Sequence, residues 1–156
     1  MAKERLYLFD TTLRDGAQTQ GVQFSAGEKH QIAAVLDELG LDYIEGGWPG
    51  ANPTDTEFFA KPPKTRATLT AFGMTKRNGR SAQNDDVLAA VMNAGTPAVC
   101  LVGKAHDFHV TTALGISLDD NIENLSASFA HIKAQGREGL FDAEHFFDGY
   151  RANTDY

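Results

Sequence analysis

The sequence predicts an α/β fold in which parallel strands alternate with amphipathic helices. Five short apolar runs begin near residues 6, 43, 67, 98 and 140, and helical patterns of apolar residues separate them. Continuous apolar strands joined by helices are typical of a parallel sheet that helices cover. An open doubly wound sheet and a (β/α)8 barrel both fit. Because the barrel takes about 250 residues, this chain would hold only about the first five of its eight units.

The first unit has the clearest signals. Residues 6–9 are apolar and predict a buried strand. Ser25 and Glu28 have the spacing of a capping box, in which each side chain accepts a hydrogen bond from the other's backbone. Gly40 then stands where a left-handed residue ends a helix. The expected apolar face of this helix consists of Ile32, Val35, Leu36 and Leu39.

The remaining elements repeat this alternation. In order they are a strand at 43–45, a glycine-rich loop at 46–50, a brief helix at 54–59, strands at 67–72 and 98–102, and a fifth strand from Leu140. A helix capped by Asn84 lies between the third and fourth strands, and the longest helix runs from Ser117 to Gly136. Their expected inward residues are Val87, Leu88, Val91 and Met92 in the first, and Ile122, Leu125, Phe129 and Ile132 in the second.

Composition narrows the class of protein. The chain is 42% hydrophobic and 22% charged, which is ordinary for one globular domain over residues 1–156. No apolar run reaches the roughly 18 residues of a membrane span, and the N-terminus lacks the apolar core of a signal peptide. The net charge of −7 gives no basic surface for nucleic acid. With Cys100 as the only cysteine, a reduced cytoplasmic setting is expected.

Polar residues follow the predicted strands, at the sheet edge where parallel α/β folds place their sites. Arg14 and Asp15 come after strand one, and Glu45 ends strand two. A carboxylate beside an arginine can bind a divalent ion while the guanidinium faces a developing oxyanion. A surface ion pair, and for Glu45 a carboxylate that binds loop amides, are the simpler alternatives. In strand five Asp142 and Glu144 share one face, although a solvated loop start is also possible.

Three other kinds of site find little support. His106 and His109 are spaced as a pair of zinc ligands would be, but no further ligand completes such a site by spacing. The loop at 46–50 lacks the ending of a phosphate-binding P-loop. No nucleophile elbow around a serine or cysteine is present.

The segment 10–18 resembles the metal-dependent 2-isopropylmalate, citramalate and homocitrate synthases, which belong with aldol-type lyases such as HMG-CoA lyase. The segments 27–29, 43–47 and 141–145 support the resemblance, which covers essentially the whole chain. It implies the N-terminal part of a (β/α)8 catalytic barrel. Segments 52–55 and 142–150 look most like the citramalate synthase branch.

The resemblance implies a Claisen-type condensation in branched-chain amino-acid biosynthesis. Acetyl-CoA would lose a methyl proton, its enolate would attack the ketone of a 2-oxo acid, expected to be pyruvate, and thioester hydrolysis would release CoA. Asp15 resembles the carboxylate ligand of a divalent metal (Mg, Mn or Zn), and Arg14 the group that stabilises the enolate or alkoxide oxygen. Glu45 and Glu144 match the acidic residues of strands two and five.

The resemblance also implies that Gln18, Asp142 and His145 lie at the substrate together with Arg14. Residues 142 and 145 depart from the serine and aspartate common in isopropylmalate-type enzymes. The family's metal site also uses a His-x-His pair on a later strand, and this sequence contains none. The chain is therefore expected to be an inactive piece of a homodimeric enzyme. The alternatives are a 2-isopropylmalate or homocitrate synthase, an aldol-type lyase, and a non-catalytic half-barrel.

Overall fold

A computed structural model describes residues 4–156 of the chain as five parallel strands alternating with helices. The strands are β1 (Phe9–Asp10), β2 (Tyr43–Gly47), β3 (Thr68–Met74), β4 (Ala98–Lys104) and β5 (Glu138–Glu144). The helices are α1 (Ala26–Glu38), α2 (Pro53–Ala60), α3 (Asp86–Asn93), α4 (Asp107–His109), α5 (Leu118–Ala134) and α6 (Phe146–Ala152). Short 3₁₀ turns occupy Gly16–Gln18 and Ala82–Asn84, and a π turn occupies Val110–Leu114.

Strand order decides between the two predicted architectures. The five strands lie side by side in chain order, β1-β2-β3-β4-β5, and every pairing is parallel. A doubly wound sheet reverses its strand order at a switch point, whereas a barrel adds each strand beside the previous one. The sheet is therefore the curled first part of a (β/α)8 barrel, as predicted, and the open doubly wound alternative is wrong. No helix in the described part is long and apolar enough to cross a membrane.

The start of α1 is as predicted, but its buried face is not. The Ser25 hydroxyl accepts a hydrogen bond from the Glu28 amide at 3.2 Å, and the Glu28 carboxylate accepts one from the Ser25 amide at 2.8 Å. Val35 and Leu39, expected to face the sheet, are 56% and 72% exposed. Lys29 is buried instead, because its ammonium finds buried polar partners under the sheet and so fixes the rotation of the helix.

Two further predictions for the first and third units are corrected. The first strand contains only Phe9–Asp10, and the apolar residues before it are exposed rather than buried. This strand lies at the edge of the sheet, where Leu8 bonds only to Asp42 and Tyr43. The cap of α3 is Asp85 and not Asn84, because the Asp85 carboxylate accepts hydrogen bonds from the Leu88 and Arg77 amides.

In α5 the inward face is more polar than its sequence pattern predicts. Ile132 is buried as expected, but Ile122 is 48% exposed. The other buried positions of the helix are all polar: Asn121, Asn124 and Ser128. Asn121 donates to the Lys104 carbonyl at 3.0 Å, and the other two bond to Lys76. Hydrogen bonds to the end of β4 and to the loop after β3 therefore act together with the apolar contacts of Phe129 and Ile132 in determining which side of α5 is buried.

The two faces of the sheet differ in chemistry. The face that contacts the helices carries Ile44, Leu69, Ala71, Val99 and Leu101, and these pack with Phe58, Leu88, Val91 and Ile132 in the apolar core. Gly46 permits this packing, since a Cβ there would lie 2.5 Å from the Phe58 ring. The opposite, concave face carries Glu45, Thr70 and Cys100, and at its lower end the Tyr43 hydroxyl donates to Glu138 at 2.9 Å.

A buried ion pair joins α1 to α2. Lys29 and Asp55 have side chains only 2% and 8% exposed, and they contact each other directly. The Lys29 ammonium also donates to the Gly46 carbonyl at 3.1 Å, and Asp55 accepts from the Trp48 amide at 2.8 Å. Besides each other, both charges thus contact the backbone at the end of β2 and at the residue that follows it. Removing one partner would leave the other charge buried and unpaired.

We expect Lys29→Met to lower the free energy of unfolding by about 3–5 kcal/mol, the usual loss when one partner of a buried pair is removed. Arg66→Met is the matched control, because Arg66 pairs with Asp37 through a side chain that is 77% exposed. It should lower the free energy of unfolding by no more than about 1 kcal/mol. Urea unfolding of dilute protein measures both. Equal losses in the two variants would contradict the structural role of the Lys29–Asp55 pair.

The sheet also predicts self-association of the 156-residue chain. Within the described residues β1 and β5 each pair with one strand only, and Phe141 of β5 is 47% exposed. Unpaired strand edges template pairing with other chains. Sedimentation velocity at roughly tens of micromolar should therefore show dimers or larger species. A sharp monomer boundary with cooperative unfolding would contradict the prediction.

Candidate functional site

A cavity of about 560 Å³ opens where strands β3, β4 and β5 end and reaches across to the loop after β1. It brings together five of the seven residues singled out from the sequence: Arg14, Asp15, Gln18, Asp142 and Glu144. Trp48, Phe72 and Lys104 complete the part of the lining that bears on the chemistry. The site is at the carboxyl ends of the strands, where barrels place their active sites.

Arg14 has a fixed position in this cavity. Its Nε donates to Glu45 Oε2 at 2.6 Å, and its Nη1 donates to Asp15 Oδ1 at 3.2 Å. The guanidinium carbon lies 4.0 Å from the centre of the Phe72 ring, a cation–π contact. The loop itself is held because Leu13 is fully buried. Only 14% of the Arg14 side chain is exposed, so the cation is aimed at the cavity rather than at bulk water.

Asp10 is a structural member of the same loop. Its carboxylate accepts hydrogen bonds from the Thr12 amide at 2.9 Å and from the Thr12 hydroxyl at 3.1 Å. The Thr11 carbonyl then accepts from the amides of Arg14 and Gly16, each at 3.1 Å. These bonds shape the turn that leads from β1 to Arg14. Asp10 therefore positions the loop and is not itself among the cavity-lining residues.

Glu45 lies behind Arg14, at the base of the site. It is 1% exposed, and its Oε1 is buried with no hydrogen-bond partner among the described residues. Burial raises the pKa of Glu45 above its ordinary value of 4.5, and the nearby Asp142 charge acts in the same direction, while Arg14 opposes both. Burial and the Glu45 charge also raise the pKa of Cys100, so this thiol is neutral and unreactive.

Glu144 has a partner that the sequence did not reveal. Its Oε2 forms an ion pair with the Lys104 ammonium. Lys104 and Glu144 are the last residues of β4 and β5 and are paired in register, as Val102 and Asp142 are two residues earlier. Only knowledge of the β4–β5 register would have shown the contact. As predicted, Asp142 and Glu144 share a face, and both line the cavity.

His145 differs from the other predicted substrate-binding residues. It has a left-handed backbone with φ of 60°, and it is not among the described residues that line the cavity. Its ring packs edge-on against His109 at 4.4 Å, and His109 stacks on His106 at 5.0 Å. Burial, with the nearby His145 and His106, lowers the pKa of His109. The geometry gives His145 a contact with Glu144, 3.8 Å from its Oε1, rather than with the cavity.

A second cavity of about 590 Å³ adjoins the first and shares Arg14, Gln18 and Trp48 with it. Its far side is formed by Asn52 and Asp55 at the start of α2. Trp48 separates the two spaces, with its ring edge-on to Phe72 at 5.5 Å. The two cavities therefore meet at Arg14, Gln18 and Trp48.

A divalent metal needs several ligands on oxygen, nitrogen or sulfur around one point. Asp15 has an accessible carboxylate, 65% exposed, at the rim of the cavity. No group of three or more His, Cys, Asp or Glu side chains in residues 4–156 is arranged to hold a metal ion. Glu45, the buried carboxylate with a free oxygen, faces Arg14 instead. Residues 4–156 alone therefore do not make up a metal site.

Comparison of the sequence with known proteins identifies the family of the chain. The sequence pattern of the HMGL-like family matches residues 5–153, so the chain belongs to that family. It is 48% identical to the (R)-citramalate synthase of Streptomyces coelicolor, over 98% of this chain and 29% of that protein. It is 31% identical to the 2-isopropylmalate synthase of Pelotomaculum thermopropionicum, again over 98% of this chain and 29% of the relative.

Comparison with solved structures gives a shared fold. The crystal structure of hydroxymethylglutaryl-CoA lyase from Pseudomonas aeruginosa superposes with a TM-score of 0.69 at 19% identity, and covers 88% of this chain and 45% of that one. This likeness shows the shared barrel fold. The chain thus spans less than a third of the curated relatives' length and a little under half of the lyase chain.

The buried position of Glu45 leads to a pH-dependent prediction. The pKa of Glu45 is raised in the folded chain. Glu45 therefore favours folding most strongly at a pH below the pKa that it has in the unfolded chain, and this contribution is lost as the pH rises through the pKa that it has in the folded chain. Carboxyl carbon NMR should therefore show Glu45 titrating above 4.5. Glu45→Gln should remove this part of the pH dependence of unfolding, whereas Glu57→Gln, at an exposed position of α2, should not. An ordinary or lowered Glu45 titration would contradict the prediction.

Proposed function

We propose that this chain forms part of the catalytic barrel of an (R)-citramalate synthase, which condenses acetyl-CoA with pyruvate. The observation that carries the proposal is the fixed Arg14 guanidinium, held by Glu45, Asp15 and Phe72 in a cavity at the carboxyl end of the barrel strands. Identities of 43–48% to (R)-citramalate synthases, against 29–31% to 2-isopropylmalate synthases, favour pyruvate as the 2-oxo acid. The proposal includes a homodimer of the complete protein.

The proposed reaction begins with proton loss from the acetyl methyl group. Glu144 accepts that proton through the oxygen that Lys104 does not hold, and the C–H electron pair becomes the enolate. The enolate carbon forms a bond to the ketone carbon of pyruvate, whose carbonyl electrons move to oxygen as an alkoxide. This alkoxide takes the proton that Glu144 gained, which forms the product hydroxyl and returns Glu144 to its carboxylate form. Water then cleaves the thioester and releases CoA as the thiol.

Arg14 supplies the electrostatic part of this mechanism. Negative charge moves from the enolate oxygen to the alkoxide oxygen, and a cation fixed beforehand stabilises such charge without reorganisation. Glu45 holds the guanidinium in place from below, and Phe72 prevents it from turning away. Gln18 and Asp142 line the same space and are proposed to bind polar groups of the substrates.

Asp15 is proposed as one carboxylate ligand of a divalent metal, Mg²⁺, Mn²⁺ or Zn²⁺, in the complete protein. Since the described residues do not complete such a site, further ligands would come from the part of the relatives' length that this chain does not span. The metal remains outside the steps described for Arg14 and Glu144.

The test uses a protein of the relatives' full length that contains this sequence. Incubation with acetyl-CoA and pyruvate should release free thiol and produce citramalate, identified by mass and chirality. 3-Methyl-2-oxobutanoate in place of pyruvate should react at least tenfold more slowly. A tenfold ratio corresponds to a difference of about 1.4 kcal/mol in transition-state free energy between the two substrates. Faster reaction with the branched 2-oxo acid would assign a 2-isopropylmalate synthase. No thiol release with any 2-oxo acid would overturn the proposal.

We expect Arg14→Lys in that protein to lower kcat by about 10²–10³, with a much smaller change in the KM for pyruvate. Lysine keeps the charge but loses the planar donors that fit two carboxylates and an oxyanion together. Arg66→Lys, at an exposed pair far from the cavity, should leave both constants unchanged. Steady-state kinetics measures the effect, and an unchanged kcat in Arg14→Lys would remove Arg14 from the catalytic role.

A further inference from the structure

We infer that Lys104 is a positioning residue that orients the Glu144 carboxylate for proton transfer. The inference rests on the proposed function and adds a residue to it. Lys104 is the last residue of β4, directly across the sheet from Glu144 at the end of β5. Its ammonium pairs with Glu144 Oε2, and both side chains line the cavity.

The ion pair leaves one oxygen of Glu144 available. Oε2 is held by Lys104, whereas Oε1 lies 3.8 Å from His145 Nε2, which is beyond hydrogen-bond distance. An ammonium is a compact charge that can hold one oxygen of a carboxylate, unlike the two-pronged guanidinium. Lys104 therefore fixes the plane of the carboxylate while its second oxygen stays free to accept a proton.

Lys104 is itself anchored more firmly than an ordinary surface lysine. Its backbone carbonyl accepts hydrogen bonds from Asn121 Nδ2 at 3.0 Å and from the Tyr156 hydroxyl at 3.3 Å. Asn121 is 2% exposed, so α5 holds the end of β4 from a buried position. The Lys104 side chain is 23% exposed, against 36% for Glu144. This anchoring distinguishes the pair from mobile surface ion pairs, which orient their partners weakly.

The step requires no proton from Lys104. The Glu144 carboxylate gains the methyl proton of acetyl-CoA, the broken C–H bond supplies the enolate electrons, and the ammonium keeps its three protons throughout. The contribution of Lys104 is thus to the geometry of a general base, and general bases typically accelerate their step by about 10²–10⁴. Loss of orientation should remove part of that factor and little substrate binding.

The test compares four variants of the complete protein by steady-state kinetics with acetyl-CoA and pyruvate. Lys104→Met should lower kcat by about 10–100-fold, a fraction of the general-base factor, with KM for pyruvate changed less than about threefold. Lys104→Arg should restore part of kcat because it keeps a cation opposite Glu144. Lys133→Met, an exposed lysine of α5, is the matched control and should behave as the unaltered protein.

The fourth variant combines Lys104→Met with Glu144→Gln, and comparison with Glu144→Gln alone separates a positioning role from a structural one. In a Glu144→Gln background Lys104→Met should lower kcat no further, since the group it orients no longer accepts a proton. Losses that multiply in the double variant, or an unaltered kcat in Lys104→Met, would overturn the inference alone. Absence of condensation by the unaltered protein would instead overturn the proposed function, and this inference with it. Circular dichroism of Lys104→Arg and Lys104→Met establishes that both are folded.

Discussion

The ion pair between Arg14 and Glu45 is the interaction on which the site depends. It joins the loop after β1 to the end of β2 through a 2.6 Å hydrogen bond, and it places a carboxylate that is 1% exposed beneath the cavity. A buried charge of this kind is costly unless it is paired. Arg14 supplies the partner, and it can do so only while the loop before it keeps its shape. Arg14 and Glu45 therefore compensate each other's charge and fix the geometry of the site through the same contact.

This contact follows from the division of the sheet into two faces. The helix-facing residues of β2, β3 and β4 are apolar and form a continuous core with α2, α3 and α5. The concave face instead carries ionisable and hydroxyl groups at nearly every level, from Tyr43 and Glu138 at one end to Lys104 and Glu144 at the other. Alternation along each strand assigns successive residues to these two faces. Stability is thus concentrated on one side of the sheet and chemistry on the other.

Much of the architecture could be predicted because its signals are local. The capping box at Ser25 and the left-handed Gly40 are set by residues within one turn of each other. The spacing of the apolar runs predicted the strands, and it allowed the barrel as one of two architectures. The choice between barrel and open sheet could not be made locally, since it depends on which strands become neighbours. Strand order is a property of the whole sheet.

The errors in the buried faces of α1 and α5 have a shared physical cause. An apolar pattern predicts the buried face of a helix only when no buried polar residue finds a partner there, and Lys29 and Asn121 each find one. The same long-range information determines the candidate site. Arg14, Asp15, Asp142 and Glu144 were identified because they follow strands, whereas Lys104 was missed because its contact with Glu144 depends on the β4–β5 register.

The polar contacts that fix α1 extend to the site itself. Lys29 holds Asp55, and Asp55 accepts the Trp48 amide at 2.8 Å. The Trp48 ring lies edge-on to Phe72 at 5.5 Å, and Phe72 lies 4.0 Å beneath the Arg14 guanidinium. Each contact is between neighbouring side chains, so the buried pair between two helices supports the wall against which Arg14 is held. The buried Lys29, which makes the face of α1 deviate from its apolar pattern, thus also helps to support the Arg14 cation that the proposed chemistry requires.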